Sequence, residues 1–203
     1  NKNFETLSTY VSAAKAFGFR TYFIKDEKFR ASSKNLKYPI TCYGRAKSVG
    51  YVEKSEVLSN KNWIDVWKVY VPESNNIGTE LNDDNQNSFV GEPGTICTET
   101  YLVVGADLSL DKTSSKNLSN YLRTNFARFM HSLAKISQHG TSKTYQFVPL
   151  QNFTKNSDID WTKSTNEIDR QLYAKYKLTN EEIGAGIFCT FIITKSVLPF
   201  EPA

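Results

Sequence analysis

The stretch GEPGTICTETYLVVG, residues 91–105, combines glycines, a proline, hydroxyl side chains and a cysteine. Phosphate loops and some nucleophile sites use these residue types. A phosphate loop needs its glycines between a strand and a following helix, with a lysine nearby for the phosphates. Here the glycines precede an apolar segment typical of a strand, no lysine is near, and Glu92 and Glu99 would repel a phosphate. The sequence therefore favours a rigid turn, with Thr95 as a candidate contact to a partner, followed by a buried strand.

A hydrolase that uses Cys97 as its nucleophile is one catalytic alternative. The thiol would need a general base close to it. The chain has only two histidines, His131 and His139, and both lie more than 30 residues downstream of Cys97. A single cysteine at the start of an apolar strand is usually a small core residue. We therefore interpret Cys97 as core and keep the hydrolase as a competing hypothesis.

A metal-dependent nuclease is the second catalytic alternative. It would need clustered carboxylates and a supporting lysine on adjoining strands. The neighbouring pair Asp83 and Asp84 and the spaced pair Asp158 and Asp160 are acidic, but neither has that context. Turns and helix caps explain such residues more simply. No metal ligands are predicted, although a nuclease that uses the Asp83 and Asp84 loop stays open, as does a domain that only docks protein partners.

Composition limits the class of protein. The 203 residues are 39% apolar and 23% charged, which suits one large globular domain. Three widely spaced cysteines argue against a disulfide framework and favour a reducing interior such as a cytoplasm. No signal peptide is visible in these residues, and they contain no apolar run of the roughly 18 residues that a membrane helix needs. Because the chain begins without Met, we expect it to be a piece of a larger protein.

Charge is distributed in blocks along the chain. Residues 1–70 hold 13 Lys and Arg against 6 Asp and Glu, and residues 112–155 hold 7 bases and no acid. Residues 71–111, between them, hold 8 acids and no base. Two basic blocks suit a polyanionic partner if the fold brings them to one face.

Bases are interleaved with aromatic residues in the segments FGFRTYF, CYGRAKSVGY and SKTYQF. Arginine can bind guanine through two hydrogen bonds, and tyrosine can stack on an exposed base. We expect DNA contacts from the bases Lys15, Arg20, Lys25, Arg45, Lys47 and Lys143. Weaker polar candidates are Asn75, Asn76, Thr79, Asn82 and Thr95. Arg45 and Lys47, on the turn GRAKS, are the two expected to reach a groove of the duplex.

The hydrophobic pattern predicts an α+β fold, with a mixed β-sheet packed on one long amphipathic helix and a helical C-terminal appendage. Apolar residues recur at helical spacing over residues 114–138 and again around Ile168 and Leu172. A shorter helix is predicted near residues 4–13. Strands are predicted at residues 17–24, 38–44, 49–52, 67–72, 96–105 and 143–150. The Asn-, Asp- and Gly-rich residues 73–94 predict a long loop or an irregular hairpin.

Long blocks of the chain resemble the C-terminal, TaqI-like specificity domain of bacterial adenine-specific DNA methyltransferases. These methyltransferases include the type IIG restriction–modification enzymes, which join nuclease, methylase and specificity domain in one chain. The similarity covers about residues 3–183 in order, in blocks such as WKVYVPESNNIGTELNDD, VGEPGTICTETYLVVG and IDWTKSTNEIDRQLYAKYKLTNEEI. Residues 184–203 depart from the usual charged helical ending of the family.

This resemblance implies a target-recognition domain for double-stranded DNA, with a core at residues 3–155, a helical appendage at 156–183 and an atypical tail at 184–203. The parent enzyme would transfer a methyl group from S-adenosylmethionine to adenine N6, after flipping the base out of the duplex. The catalytic methyltransferase domain, and any magnesium-dependent restriction endonuclease, would lie outside this sequence. The fragment itself is then expected to have no catalytic residues and to bind no cofactor.

Overall fold

The computed structural model describes residues 5–75, 87–135 and 137–184, and within them the chain folds as an α+β domain with two three-stranded sheets. Its strands are β1 (Pro39–Tyr43), β2 (Val49–Glu53), β3 (Lys68–Pro72), β4 (Phe89–Gly91), β5 (Thr95–Cys97) and β6 (Tyr101–Val104). The first sheet has the order β2-β1-β5, with β1 antiparallel to β2 and parallel to β5. The second sheet, β4-β3-β6, is antiparallel throughout. The α+β class is therefore confirmed, with two sheets in place of one.

The α-helices of the described residues are α1 (Lys112–Arg123), α2 (Asn125–Ser132), α3 (Thr165–Lys175) and α4 (Asn180–Gly184). Short 3₁₀ helices lie at Leu7–Tyr10, Thr21–Lys25, Arg45–Lys47, Lys54–Glu56, Lys61–Trp63 and Ser142–Tyr145. In the described part of the chain, no helix is long and apolar enough to span a bilayer.

The β4-β3-β6 sheet separates two hydrophobic cores. Side chains alternate across a strand, so Val69 and Val71 of β3 face one core while Tyr70 faces the other. The first core also contains the apolar faces of α1, α2 and α3, and the second lies towards the β2-β1-β5 sheet. This layering explains why all but the last residue of β3 is buried.

The prediction of one continuous helix over residues 114–138 is wrong, because the helix breaks at Thr124. This residue adopts extended backbone angles, with φ −63° and ψ 149°. Its hydroxyl accepts a hydrogen bond of 3.1 Å from the Ala127 N–H, which caps the start of α2. Threonine is a preferred N-cap residue, so the same side chain ends one helix and begins the next.

The strand prediction for residues 17–24 is also wrong. Phe19 and Phe23 stack with ring centroids 4.1 Å apart, and Thr21–Lys25 forms a 3₁₀ helix. Phe19 precedes this helix and Phe23 lies within it, so the stacked pair packs across the start of the turn.

Residues 143–150 were predicted as a strand but contain no strand in the structure, and Ser142–Tyr145 forms a 3₁₀ helix. The hydroxyls of Thr141 and Thr144 close a capping box at its start, which selects a helical turn. Residues 96–105, predicted as one strand, divide into β5 and β6, which belong to different sheets.

The strand predictions at 38–44, 49–52 and 67–72 are confirmed as β1, β2 and β3. The C-terminal helical segment is confirmed as α3, and its apolar residues Ile168 and Leu172 are fully buried in the first core. Residues 156–183 therefore pack as part of the main body. Residues 185–203, nearly all of the predicted atypical tail, lie outside the described residues.

Candidate nucleic-acid interface

Two neighbouring parallel strands end at one edge of the β2-β1-β5 sheet. Tyr43 at the end of β1 is opposite Cys97 at the end of β5, and the Thr98 N–H donates to the Tyr43 carbonyl at 2.9 Å. Arg45 and Glu99 each follow two residues after this matched pair. The sheet thus brings together two side chains that are 54 positions apart in the sequence.

The turn between β1 and β2 is compact. The Gly44 N–H donates to the Ser48 carbonyl at 2.9 Å, and Ala46 and Lys47 have left-handed φ angles of 56° and 59°. Within this turn the side chains of Arg45 and Lys47 are exposed. The GRAKS turn predicted from the sequence is confirmed.

The 3₁₀ helix Thr21–Lys25 packs directly against this turn. A Cβ placed on Gly44 would lie only 2.3 Å from Cγ2 of Ile24, so the two segments are in close contact. Lys25 at the end of the helix is exposed, and Tyr22 is 72% exposed. The bases Lys25, Arg45 and Lys47 are therefore carried by two touching segments.

An open groove of about 470 Å³ lies beside the turn and includes the Arg45 side chain. Its lining residues are Ala14, Thr21, Arg45, Pro72, Glu73, Ser74, Glu99, Thr100 and His139. They come from six separate segments of the chain, and the charged members carry both signs.

The carboxylate of Glu99 is held in place on the groove wall. It accepts hydrogen bonds from the Thr21 N–H at 3.0 Å and the Thr21 hydroxyl at 3.3 Å. The Arg20 guanidinium lies 3.6 Å from its other oxygen. The Glu99 side chain is 23% exposed, so it is fixed but still reachable. Arg20, predicted as a DNA contact, thus makes an ion pair with a residue that sequence reasoning had treated only as a repulsive acid.

A second carboxylate, Glu73, pairs with His139 across the groove. Nδ1 of His139 lies 2.9 Å from one carboxylate oxygen of Glu73, and Ser74 bridges to His139 through the backbone. Sequence reasoning did not select either residue for the site, because they lie 66 positions apart and no local pattern joins them.

Two further predicted bases take different positions. Lys15 is partly buried with a left-handed φ of 59°, and it directly follows the groove residue Ala14. Lys143 is exposed on the 3₁₀ helix Ser142–Tyr145, whose Tyr145 belongs to the first core. The structure therefore groups Arg20, Lys25, Arg45 and Lys47 around the groove and the turn, whereas Lys15 and Lys143 are not among the residues that line the groove.

The polar candidates that the structure describes are buried. Thr95 is 7% exposed, and its hydroxyl donates to the Glu92 carbonyl at 2.6 Å and lies 3.0 Å from the Tyr70 hydroxyl. Asn75 is 4% exposed, and the Lys135 ammonium donates to its side-chain and backbone oxygens. This placement does not favour surface contacts by either residue, since both side chains make hydrogen bonds inside the protein. Asn76, Thr79 and Asn82 lie outside the described residues.

The cysteine and histidine of the catalytic alternative are both buried. Burial raises the pKa of the Cys97 thiol well above its usual value. Burial, with a smaller effect of Lys135, lowers the pKa of His131 to about 3, and the ring is fully enclosed. A protonated buried thiol has little nucleophilicity, so this geometry does not favour a Cys97 hydrolase. Asp83 and Asp84 lie outside the described residues, and the described residues contain no group of three or more His, Cys, Asp and Glu that could hold a metal ion.

A scan of the chain against protein-family models and searches of curated proteins and solved structures found no match.

Proposed function

We propose that this chain is a recognition domain for double-stranded DNA that positions a separate adenine-N6 methyltransferase domain on its target. The observation that supports this most is the exposed pair Arg45 and Lys47 on a compact turn beside an open groove. Lys25 and the exposed ring of Tyr22 extend the same surface on the adjoining 3₁₀ helix.

The mechanics of the turn suit this role. A backbone fixed by a closing hydrogen bond and left-handed residues presents its side chains with little loss of conformational freedom on binding. Lysine can neutralise phosphates, which supplies affinity without sequence preference. Arginine can in addition read the edge of guanine, so the turn can supply both affinity and specificity.

The groove wall argues for contact with bases as well as with phosphates. Its carboxylates Glu73 and Glu99 would repel phosphate oxygens, whereas they can accept hydrogen bonds from base amino groups. A surface that combines exposed cations with groove carboxylates therefore suits a duplex whose phosphates meet the cations and whose base edges face the groove.

Methyl transfer from S-adenosylmethionine belongs, in this proposal, to a partner domain in the same or another chain. The recognition domain contributes the register on the DNA, and the catalytic domain flips and methylates the adenine. Cys42 and Cys97, the cysteines within the described residues, are both free thiols, which suits a cytoplasmic setting.

The direct test is binding of this chain to a fluorescent duplex with a randomised central sequence, followed by anisotropy. We expect the double variant Arg45→Ala/Lys47→Ala to bind at least about tenfold more weakly, because two cations at the centre of the surface are removed. The matched control is Lys112→Ala/Lys116→Ala, which removes two exposed cations from α1, on the other side of the β4-β3-β6 sheet. Equal losses in the two double variants would contradict the assignment of this face, and no binding by the wild-type chain would contradict the function.

A further inference from the structure

We propose that Arg45 and Glu99 act together to read one G·C base pair in the major groove of bound DNA. This inference rests on the proposed function and adds the residues and the base pair that would determine part of its specificity. It predicts a base preference that neither residue type nor charge alone would give.

The two side chains start from equivalent positions on adjacent strands. Each lies two residues beyond the matched pair Tyr43 and Cys97, at the ends of the parallel strands β1 and β5. Neighbouring strands lie about 4.8 Å apart, which is within the width of one base-pair edge. Both side chains line the same open groove, so a single edge can meet both.

The order of donors and acceptors favours G·C over A·T. In the major groove guanine presents two adjacent acceptors, N7 and O6, and its partner cytosine follows with an amino donor. A guanidinium donates to the first two and a carboxylate accepts from the third. An A·T pair places its amino donor between two acceptors, so the guanidinium would lose one of its two bonds.

The surroundings of the pair fit this role. No hydrogen bond or ion pair engages the Arg45 side chain within the part of the chain that the structure describes, so its donors are available. The Glu99 carboxylate is oriented by Thr21, and Arg20 at 3.6 Å offsets its repulsion of nearby phosphates. The side chains of Glu73 and His139, which also line the groove, contact each other at 2.9 Å.

The test is selection of bound sequences from a duplex pool with a randomised centre, using the full chain and then its variants. The wild-type chain is expected to enrich a G·C pair at one fixed position. Arg45→Ala should lose the preference at that position by roughly 5- to 150-fold, the range of one bidentate contact. Glu99→Gln should weaken the same preference while it strengthens binding to the unselected pool, because a negative charge is removed without a change of shape.

The two opposite effects expected for Glu99→Gln, a weaker base preference and stronger overall binding, distinguish base recognition from a structural role. A damaged fold would weaken binding and preference together. Glu92→Gln is the matched control, because Glu92 is an exposed carboxylate before the opposite end of β5. A control that behaves like Glu99→Gln would overturn the inference. Salt-sensitive binding that enriches no fixed G·C position would also overturn it, and so would a G·C preference that Arg45→Ala retains. In these two cases the proposed function itself would stand. Failure of the wild-type chain to bind any duplex would overturn both.

Discussion

The carboxylate of Asp169 accepts a hydrogen bond of 2.9 Å from the backbone N–H of Phe126, a residue 43 positions earlier in the chain. Its second oxygen accepts from the Asn125 N–H, also at 2.9 Å. These two donors belong to the first turn of α2, where backbone N–H groups have no partner within the helix. A side chain of α3 thus completes the helix start that the break at Thr124 creates.

Asp169→Ala is expected to lower the free energy of unfolding by about 1–3 kcal/mol, because two N–H groups at the start of α2 lose their acceptor. Urea unfolding followed by circular dichroism measures this change. Asp158→Ala is the control, since Asp158 is exposed and its ion pair with Lys175 on α3 should be worth less than about 1 kcal/mol. Similar losses in both variants would contradict a capping role for Asp169.

His131 should make the fold sensitive to acid. Burial lowers its pKa from 6.5 to about 3. Below its ordinary pKa the histidine takes up a proton in the unfolded chain but not in the folded one, so acid favours unfolding. Above about pH 6.5 the protonation of His131 does not lower the free energy of unfolding. By about pH 4 it should lower that free energy by about 3 kcal/mol.

The measurement is the free energy of unfolding of His131→Gln between about pH 4 and 7, compared with that of the wild-type chain. Glutamine does not titrate, so the variant should show a flatter acid limb whatever its stability at neutral pH. His139→Gln, whose side chain is 67% exposed, is the control and should keep most of the wild-type slope. An unchanged slope in His131→Gln would refute this explanation.

Gly44→Ala should destabilise the turn that carries Arg45. The added methyl would lie 2.3 Å from Cγ2 of Ile24 and 2.7 Å from the Ser48 hydroxyl, closer than atoms can approach. Overpacking of this kind costs about 1–3 kcal/mol. Thermal or urea unfolding would detect it.

The double variant Gly44→Ala/Ile24→Ala provides the control, because Ile24→Ala removes the methyl that clashes. The two changes should together cost less than the sum of their separate costs, by about 1 kcal/mol. Strict additivity would show that the two segments do not touch as the structure has them.

Local patterns were sufficient for part of the fold. The hydrophobic pattern predicted β1, β2 and β3 as short strands, and helical spacing predicted α3. The break at Thr124 was missed because the apolar stripe continues in helical register on both sides of it. Its stabilisation by Asp169 is a contact between distant segments, and no local window contains it.

The candidate site likewise combines features that the local sequence predicts with features that depend on contacts between distant segments. The exposed turn with Arg45 and Lys47 was predicted from its residues alone. The pairing of β1 with β5 places Arg45 and Glu99 each two residues past a matched strand end, and this depends on the register of a parallel sheet. Sequence reasoning also took Thr95 for a surface contact, whereas its hydroxyl bonds inside the protein.

The salt dependence of duplex binding tests the central claim most directly. We expect the logarithm of the association constant to fall linearly with the logarithm of salt concentration, with a slope of about −0.9 for each phosphate neutralised. Lys47→Ala should reduce the magnitude of that slope by about 1, whereas Lys112→Ala should leave it unchanged. Binding that does not respond to salt, or a slope that the two variants change equally, would contradict a DNA-recognition surface at this turn.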